Sequence, residues 1–161
     1  MTRVVTYIAA PTQEVYDALV DAPRYPTWLL GARQIRRTER SWPRPGSSFE
    51  HHVGAGPVDV ADRTTVIDHD PGRSLDLLVR ARPILEARVR FAVEPQGSGT
   101  RVEMTECLVG RFRVFSPAFS PLVWVRNRGS LRRLKHRLEH GHVSGWSRVP
   151  RGSGPTPGAP G

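Results

Sequence analysis

Between Gln34 and Gly110 apolar residues recur at every second position, and one long stretch of helical spacing follows. A period of two is the mark of strands with one buried face, so the middle of this chain must be a sheet. The alternation predicts strands over Gln34–Arg40, Ser47–Gly54, Pro57–Asp70, Arg73–Ala81, Leu85–Pro95 and Thr100–Gly110. Turn chemistry separates most of them: Pro43-Arg44-Pro45-Gly46, Gly54-Ala55-Gly56-Pro57, Asp70-Pro71-Gly72-Arg73 and Gln96-Gly97-Ser98-Gly99. Arg82-Pro83 is a further break. Links this short join antiparallel neighbours. Val89, Phe91 and Val93 face one way, and Arg88 and Arg90 the other.

The flanking segments add one strand and three helices. Thr2–Ala9 reads as a strand carrying Val4, Val5, Tyr7 and Ile8. Pro11 is expected at the first helical position of a helix whose apolar face is Val15, Ala18 and Leu19. Arg24–Leu30 is predicted as a short second helix with Tyr25 and Trp28, stopped by Gly31. Near the end, Ser120 and Pro121 form a start signal. Leu122–His140 is then one helix of about 28 Å. Trp124, Leu131 and Leu138 repeat every seven residues beside Leu134, giving it an apolar stripe.

This order predicts an α+β domain. A seven-stranded antiparallel sheet wraps around the long C-terminal helix, and two short helices follow the first strand. A twisted sheet gripping a helix leaves space between them, and such spaces become ligand pockets. The chain has 161 residues, room for one domain. The folded unit is expected over residues 1–141. Residues 142–161 are mostly Gly, Pro, Ser and Arg and are expected to be a disordered tail.

Composition bounds the function. No apolar run approaches the roughly 20 residues of a membrane span, and the N-terminus lacks a secretory profile. The single cysteine, Cys107, excludes an internal disulfide and any multi-cysteine metal site. The expected compartment is cytoplasmic. The net charge is +9, and all of it comes from residues 111–161, which hold ten Arg or Lys and one acid. A nucleic-acid or anionic-surface binder would use Arg126, Arg128, Arg132, Arg133 and Lys135. The alternative is a solvated helix face in an arginine-rich sequence, since Lys135 is the only lysine.

Several segments together resemble a known superfamily. They are Ile8-Ala9-Ala10-Pro11-Thr12-Gln13-Glu14-Val15-Tyr16, Tyr25-Pro26-Thr27-Trp28, Arg63-Thr64-Thr65-Val66-Ile67-Asp68-His69-Asp70-Pro71-Gly72-Arg73 and Gly99-Thr100-Arg101-Val102. In this order and spacing they resemble the START-like, helix-grip superfamily, with its polyketide cyclases/dehydrases and lipid-transport domains. The resemblance covers about residues 3–140. It implies a hydrophobic cavity between sheet and long helix. It also implies a small hydrophobic ligand, either carried as a lipid or apolar metabolite or processed by cyclisation and dehydration. Docking an acidic carrier protein is a further implied partnership. No cofactor is expected.

Strand parity selects the residues expected in that cavity. Phe49 and Val53 put His51 inward. Val58, Val60 and Val66 put Asp62 and Thr64 inward, and Val102, Met104 and Leu108 put Glu106 inward. Leu77, Val79 and Phe91 complete the sheet lining, with Tyr25, Trp28 and Trp124 from the helices. Pairing Val53 with Val58 would set His51 opposite Val60 and diagonal to Asp62, within side-chain reach. A histidine beside a carboxylate in an apolar pocket can act as a general acid/base pair, so His51 and Asp62 are the catalytic candidates. Cys107 points to the other face. His51 and His52 are adjacent on a strand and point apart, so with His69 they make no metal site.

Overall fold

A computed structural model describes residues 1–55, 58–81, 85–110 and 116–141. The element order is β1 (Thr2–Ile8), α1 (Thr12–Val20), a 3-10 turn (Ala22–Arg24), α2 (Tyr25–Trp28), β2 (Ala32–Thr38), β3 (Ser48–Ala55), β4 (Val58–Asp70), β5 (Ser74–Ala81), β6 (Leu85–Gln96), β7 (Gly99–Leu108) and α3 (Ser116–His140). The strands form one antiparallel sheet in the order β1-β7-β6-β5-β4-β3-β2. Six strands meander, and β1 closes the far side by pairing with β7, Val4 opposite Met104. This is the helix-grip arrangement. The tail beyond Gly141, the Gly56-Pro57 turn and the Arg82-Pro83 break lie outside the described residues.

Alternation sorts the faces as expected. On β7, Val102, Met104, Glu106 and Leu108 are buried, while Arg101, Glu103, Thr105 and Cys107 are only half-buried. Val89, Phe91 and Val93 are buried on β6, and Arg88 and Arg90 are exposed. The concave face carries the core: Phe49, Val66, Leu75, Leu77, Phe91, Val102 and Met104. The convex face carries ion pairs, including Arg88 with the buried Asp76 and Arg3 with Glu103 at 2.7 Å. The Arg3 and Arg101 guanidiniums hold the Glu103 carboxyl below the usual carboxylate range, chiefly through the Arg3 hydrogen bonds.

Three local expectations need correcting. Pro11 is the N-cap of α1 and not its first helical residue, its carbonyl accepting from the Val15 N–H at 3.1 Å. The second helix is only Tyr25–Trp28, preceded by the 3-10 turn. Gly31 does end this region, with φ of 97°, where a side chain would be strained. The long helix starts at Ser116, so Pro121 lies inside it and removes one helical hydrogen bond there.

The phase of α3 also differs from the seven-residue reading. Its buried residues are Asn127, Ser130, Leu131, Leu134 and Leu138, whereas Trp124 is 41% exposed. A straight helix drifts by about 20° per heptad. Two heptads before Leu138, Trp124 has turned off the seam, and Asn127 continues it one turn before Leu131. Two bonds fasten the C-terminal half of α3 to the end of β1. Lys135 Nζ donates to the Tyr7 carbonyl at 2.9 Å, and Glu139 Oε1 accepts from the Ala9 N–H at 2.7 Å.

Candidate functional site

Between the concave face and the helices is a cavity of about 90 Å³. Its sheet wall is mostly apolar: Phe49 on β3, Leu77 and Val79 on β5, Ala87, Val89 and Phe91 on β6, and Met104 on β7. The opposite wall is Tyr25 and the segment Leu29–Ala32, with Ile35 from β2. Polar groups enter at four places: His51, Thr64, Glu106 and Arg126.

The most ordered of these is built on Glu106. Its carboxylate is 5% exposed. Oε2 accepts from Asn127 Nδ2 at 2.8 Å and from Arg126 Nη2. Asn127, itself fully buried, accepts in turn from Arg126 Nε at 3.1 Å and Nη2 at 2.9 Å. Each member satisfies another, which is the condition for keeping a charge in an apolar site. The guanidinium is the one part that reaches outward, with its side chain 38% exposed. Parity identifies Glu106, but in the sequence Arg126 reads only as surface charge, and parity gives no reason to single out Asn127. A signal for Asn127 is nonetheless present. It lies four, seven and eleven residues before Leu131, Leu134 and Leu138, on the buried stripe, and a buried amide needs a partner.

On the opposite wall His51 is 5% exposed and meets Phe49 edge-on, ring centroids 5.4 Å apart. Four strand intervals separate its strand from Glu106, roughly 19 Å along the sheet. The register corrects the expected pairing. Ala55 pairs with Val58, Val53 with Val60, and His51 directly with Asp62. The turn is tighter by two residues than a Val53–Val58 pairing requires. An even shift preserves the face, so Asp62 occupies a position on the same face as His51. The side chains of Asp62 and Val60 lie outside the described ones.

The aromatic residues divide. Tyr25 lines the cavity, and its hydroxyl donates to the Leu19 carbonyl at 2.6 Å. Burial pushes this phenol far above its ordinary value, so it serves as a donor and not as a base. Trp28 is not on the lining. It sits behind Tyr25 and Phe91, edge-on to both at 5.3 and 6.0 Å, and belongs to the core. Trp124 is also off the lining, exposed, with the Arg128 guanidinium 5.2 Å above its ring. Of the lining expected from sequence, Tyr25, Phe49, Thr64, Leu77, Val79, Phe91, Met104 and Glu106 converge on this one space, together with His51.

The wall Leu29–Ala32 is held against α3 by a hydrogen bond and a glycine seat. The Leu30 N–H donates to Ser130 Oγ at 3.0 Å, and Ser130 Oγ donates to the Arg126 carbonyl at 2.9 Å. A Cβ at Gly129 would lie 2.6 Å from Leu30 Cδ1, so this glycine lets the loop seat on the helix. Among the described residues no three His, Cys, Asp or Glu side chains gather closely enough to hold a metal. No described helix is long and apolar enough to cross a membrane.

A family model described as polyketide cyclase / dehydrase and lipid transport matches residues 1–139. Among solved structures, a START superfamily protein from Mycobacterium smegmatis superposes with a TM-score of 0.70 at 14% identity, covering 86% of this chain and 96% of that one. The di-domain ARO/CYC StfQ of the steffimycin biosynthetic pathway gives 0.68 at 14% identity, covering 87% of this chain and 50% of that one. TTHA0849 from Thermus thermophilus gives 0.66 at 18% identity, covering 89% and 99%. At these identities the likeness is one of fold. No curated protein matches the chain in sequence.

Proposed function

The chain belongs to the polyketide cyclase/dehydrase and lipid-transport family, and from that premise we propose that it binds a small hydrophobic ligand carrying one polar group. The observation that supports this is the cavity itself. Its wall is aliphatic and aromatic except for His51, Thr64 and the Glu106–Arg126 end. Apolar surface supplies affinity, and a few fixed polar groups set orientation. The ligand's apolar body lies against Phe49, Leu77, Val79, Phe91 and Met104, and its polar group meets the Arg126 guanidinium.

Volume decides how the ligand enters. A dry cavity of about 150 Å³ is enough for benzene, and pockets for larger ligands run to roughly 300–1,000 Å³. The space here, about 90 Å³, is smaller than either. A lipid or a polyketide therefore displaces part of the wall. Leu29–Ala32 is the part that gives, because Leu29, Leu30 and Gly31 lie outside the sheet, and the backbone bond from Leu30 and the seat on Gly129 are what must open to release them from α3.

The second reading, a cyclase/dehydrase, draws support from one observation: His51 and Asp62 are direct cross-strand partners. In that reading the imidazole takes a proton from the carbon next to a ligand carbonyl. The resulting enolate carbon forms a bond to a second carbonyl of the same chain. The carboxylic acid at Asp62 protonates the alkoxide so formed; its carboxylate then takes the remaining proton from the attacking carbon while the imidazolium protonates the hydroxyl, which leaves as water as the carbon–carbon double bond forms. The cavity contributes by holding the flexible chain folded on itself.

Native mass spectrometry of protein purified from its own host tests the reading. The expected spectrum shows a bound small molecule that organic denaturation releases. A released compound short of one water relative to its linear precursor would favour the second reading. Protein that carries no adduct and takes up no apolar compound on addition would overturn both.

A further inference from the structure

Two of the exposed large hydrophobic residues, Leu122 at 69% and Val125 at 61% exposure, stand one turn apart on one face of α3, and Trp124, at 41%, lies about 100° round the helix from Val125, on its flank. Single exposed apolar residues are ordinary, but adjacent ones on a helix face call for a partner. At 100° per residue, Leu122, Val125, Arg132, Arg133 and His136 lie within an arc of about 100° on the side away from the sheet. Beside Thr27, Arg132, Arg133, His136 and Arg137 wall a shallow cationic recess. Over its whole length α3 holds six Arg or Lys and a single acid, Glu139. That acid is turned toward β1, where it binds the Ala9 N–H.

We propose that this outward face of α3 docks on an anionic lipid surface. Leu122 and Val125 enter the boundary between headgroups and acyl chains, and Arg132 and Arg133 meet the phosphates, with Arg128 on the flank. Other partners fit less well. About four turns of one convex helix offer too little area for a stable protein interface, which needs roughly 1,000 Å² or more. A nucleic acid would use the cations but has no place for the aliphatic residues. A second copy would set cationic face against cationic face. A lipid surface needs neither shape complementarity nor a groove. The position also matters, because Arg126 follows Val125 directly and lines the cavity, and Gly129 seats Leu30. Docking would bring Arg126, the exposed end of the cavity lining, close to the membrane. The inference is independent of what the cavity holds.

Co-sedimentation of the full chain with two vesicle types tests it. One is phosphatidylcholine alone, and the other adds phosphatidylglycerol at roughly 30 mol%. Binding at least tenfold tighter to the anionic vesicles, weakening with added salt, is expected. The pair Leu122→Ser/Val125→Ser and the pair Arg132→Glu/Arg133→Glu should each weaken it by about tenfold or more. These positions are exposed, so both variants should melt like wild type. The equal reversal Arg148→Glu/Arg151→Glu, in the segment after α3, should change binding by no more than about twofold. Equal binding to both vesicles would overturn the proposal, as would loss of binding only on reversal at Arg148 and Arg151. Undiminished binding by Leu122→Ser/Val125→Ser would overturn it too, and would turn attention to an acidic protein or a nucleic acid.

Discussion

Ala87→Phe will weaken the binding of neutral apolar compounds by about a hundredfold or more while leaving the protein folded. Ala87 is 3% exposed on β6, with Val79 and Leu108 as its cross-strand partners, and it lines the cavity. A benzyl group there occupies the space a ligand would take. The cavity is about 90 Å³, so the ring overfills it slightly and the neighbours must give. Overpacking of this kind costs roughly 1–3 kcal/mol, which a domain stable by about 5–15 kcal/mol survives. Fluorescence titration with a neutral naphthylamine probe measures the affinity, and thermal melting checks the fold. Unchanged affinity in a folded variant would mean that apolar compounds bind elsewhere.

The second large effect concerns the buried charge. Arg126→Leu should destabilise the protein by about 3 kcal/mol, because it leaves the Glu106 carboxylate buried with only the Asn127 amide. The figure is at the low end for a broken buried pair, since the Arg126 side chain is 38% exposed and water can partly replace it. The double variant Arg126→Leu/Glu106→Leu should return to within about 1 kcal/mol of wild type, about 2 kcal/mol more stable than Arg126→Leu alone. Urea denaturation of the four proteins gives the cycle. Such a result would mean that the pair is kept for selecting the polar group of a ligand more than for stability. If the double variant were as unstable as the single, the network would be a packing element and its role as a ligand anchor would lose its support.

Much of this is legible in the chain because alternation and turn chemistry are local signals. Every expected strand is present with ends within two residues, and Val89, Phe91, Met104 and Glu106 face inward as parity requires. What differs depends on geometry that spacing does not carry. The β3–β4 register is not carried by the spacing, and the pairing of Ala55 with Val58 moves His51 from opposite Val60 to opposite Asp62. The phase of α3 turns on where the seam meets the sheet, which exchanges Trp124 for Asn127. Arg126 reads as one more cation on a basic helix, because only the fold brings it to Glu106, twenty residues earlier. Trp28 could face a ligand or the core, and neighbouring Tyr25 and Phe91 rings enclose it in the core.

The central claim is that apolar ligands bind inside the space between sheet and α3. The chain has two methionines, and they report on opposite environments. Met104 lines the cavity at 0% exposure, and Met1 is 79% exposed. Titrating methyl-labelled protein with the compound released from native protein, or with a neutral naphthylamine, should move the Met104 methyl resonance and leave that of Met1 in place. A Met104 resonance that stays fixed while the compound demonstrably binds would contradict the account.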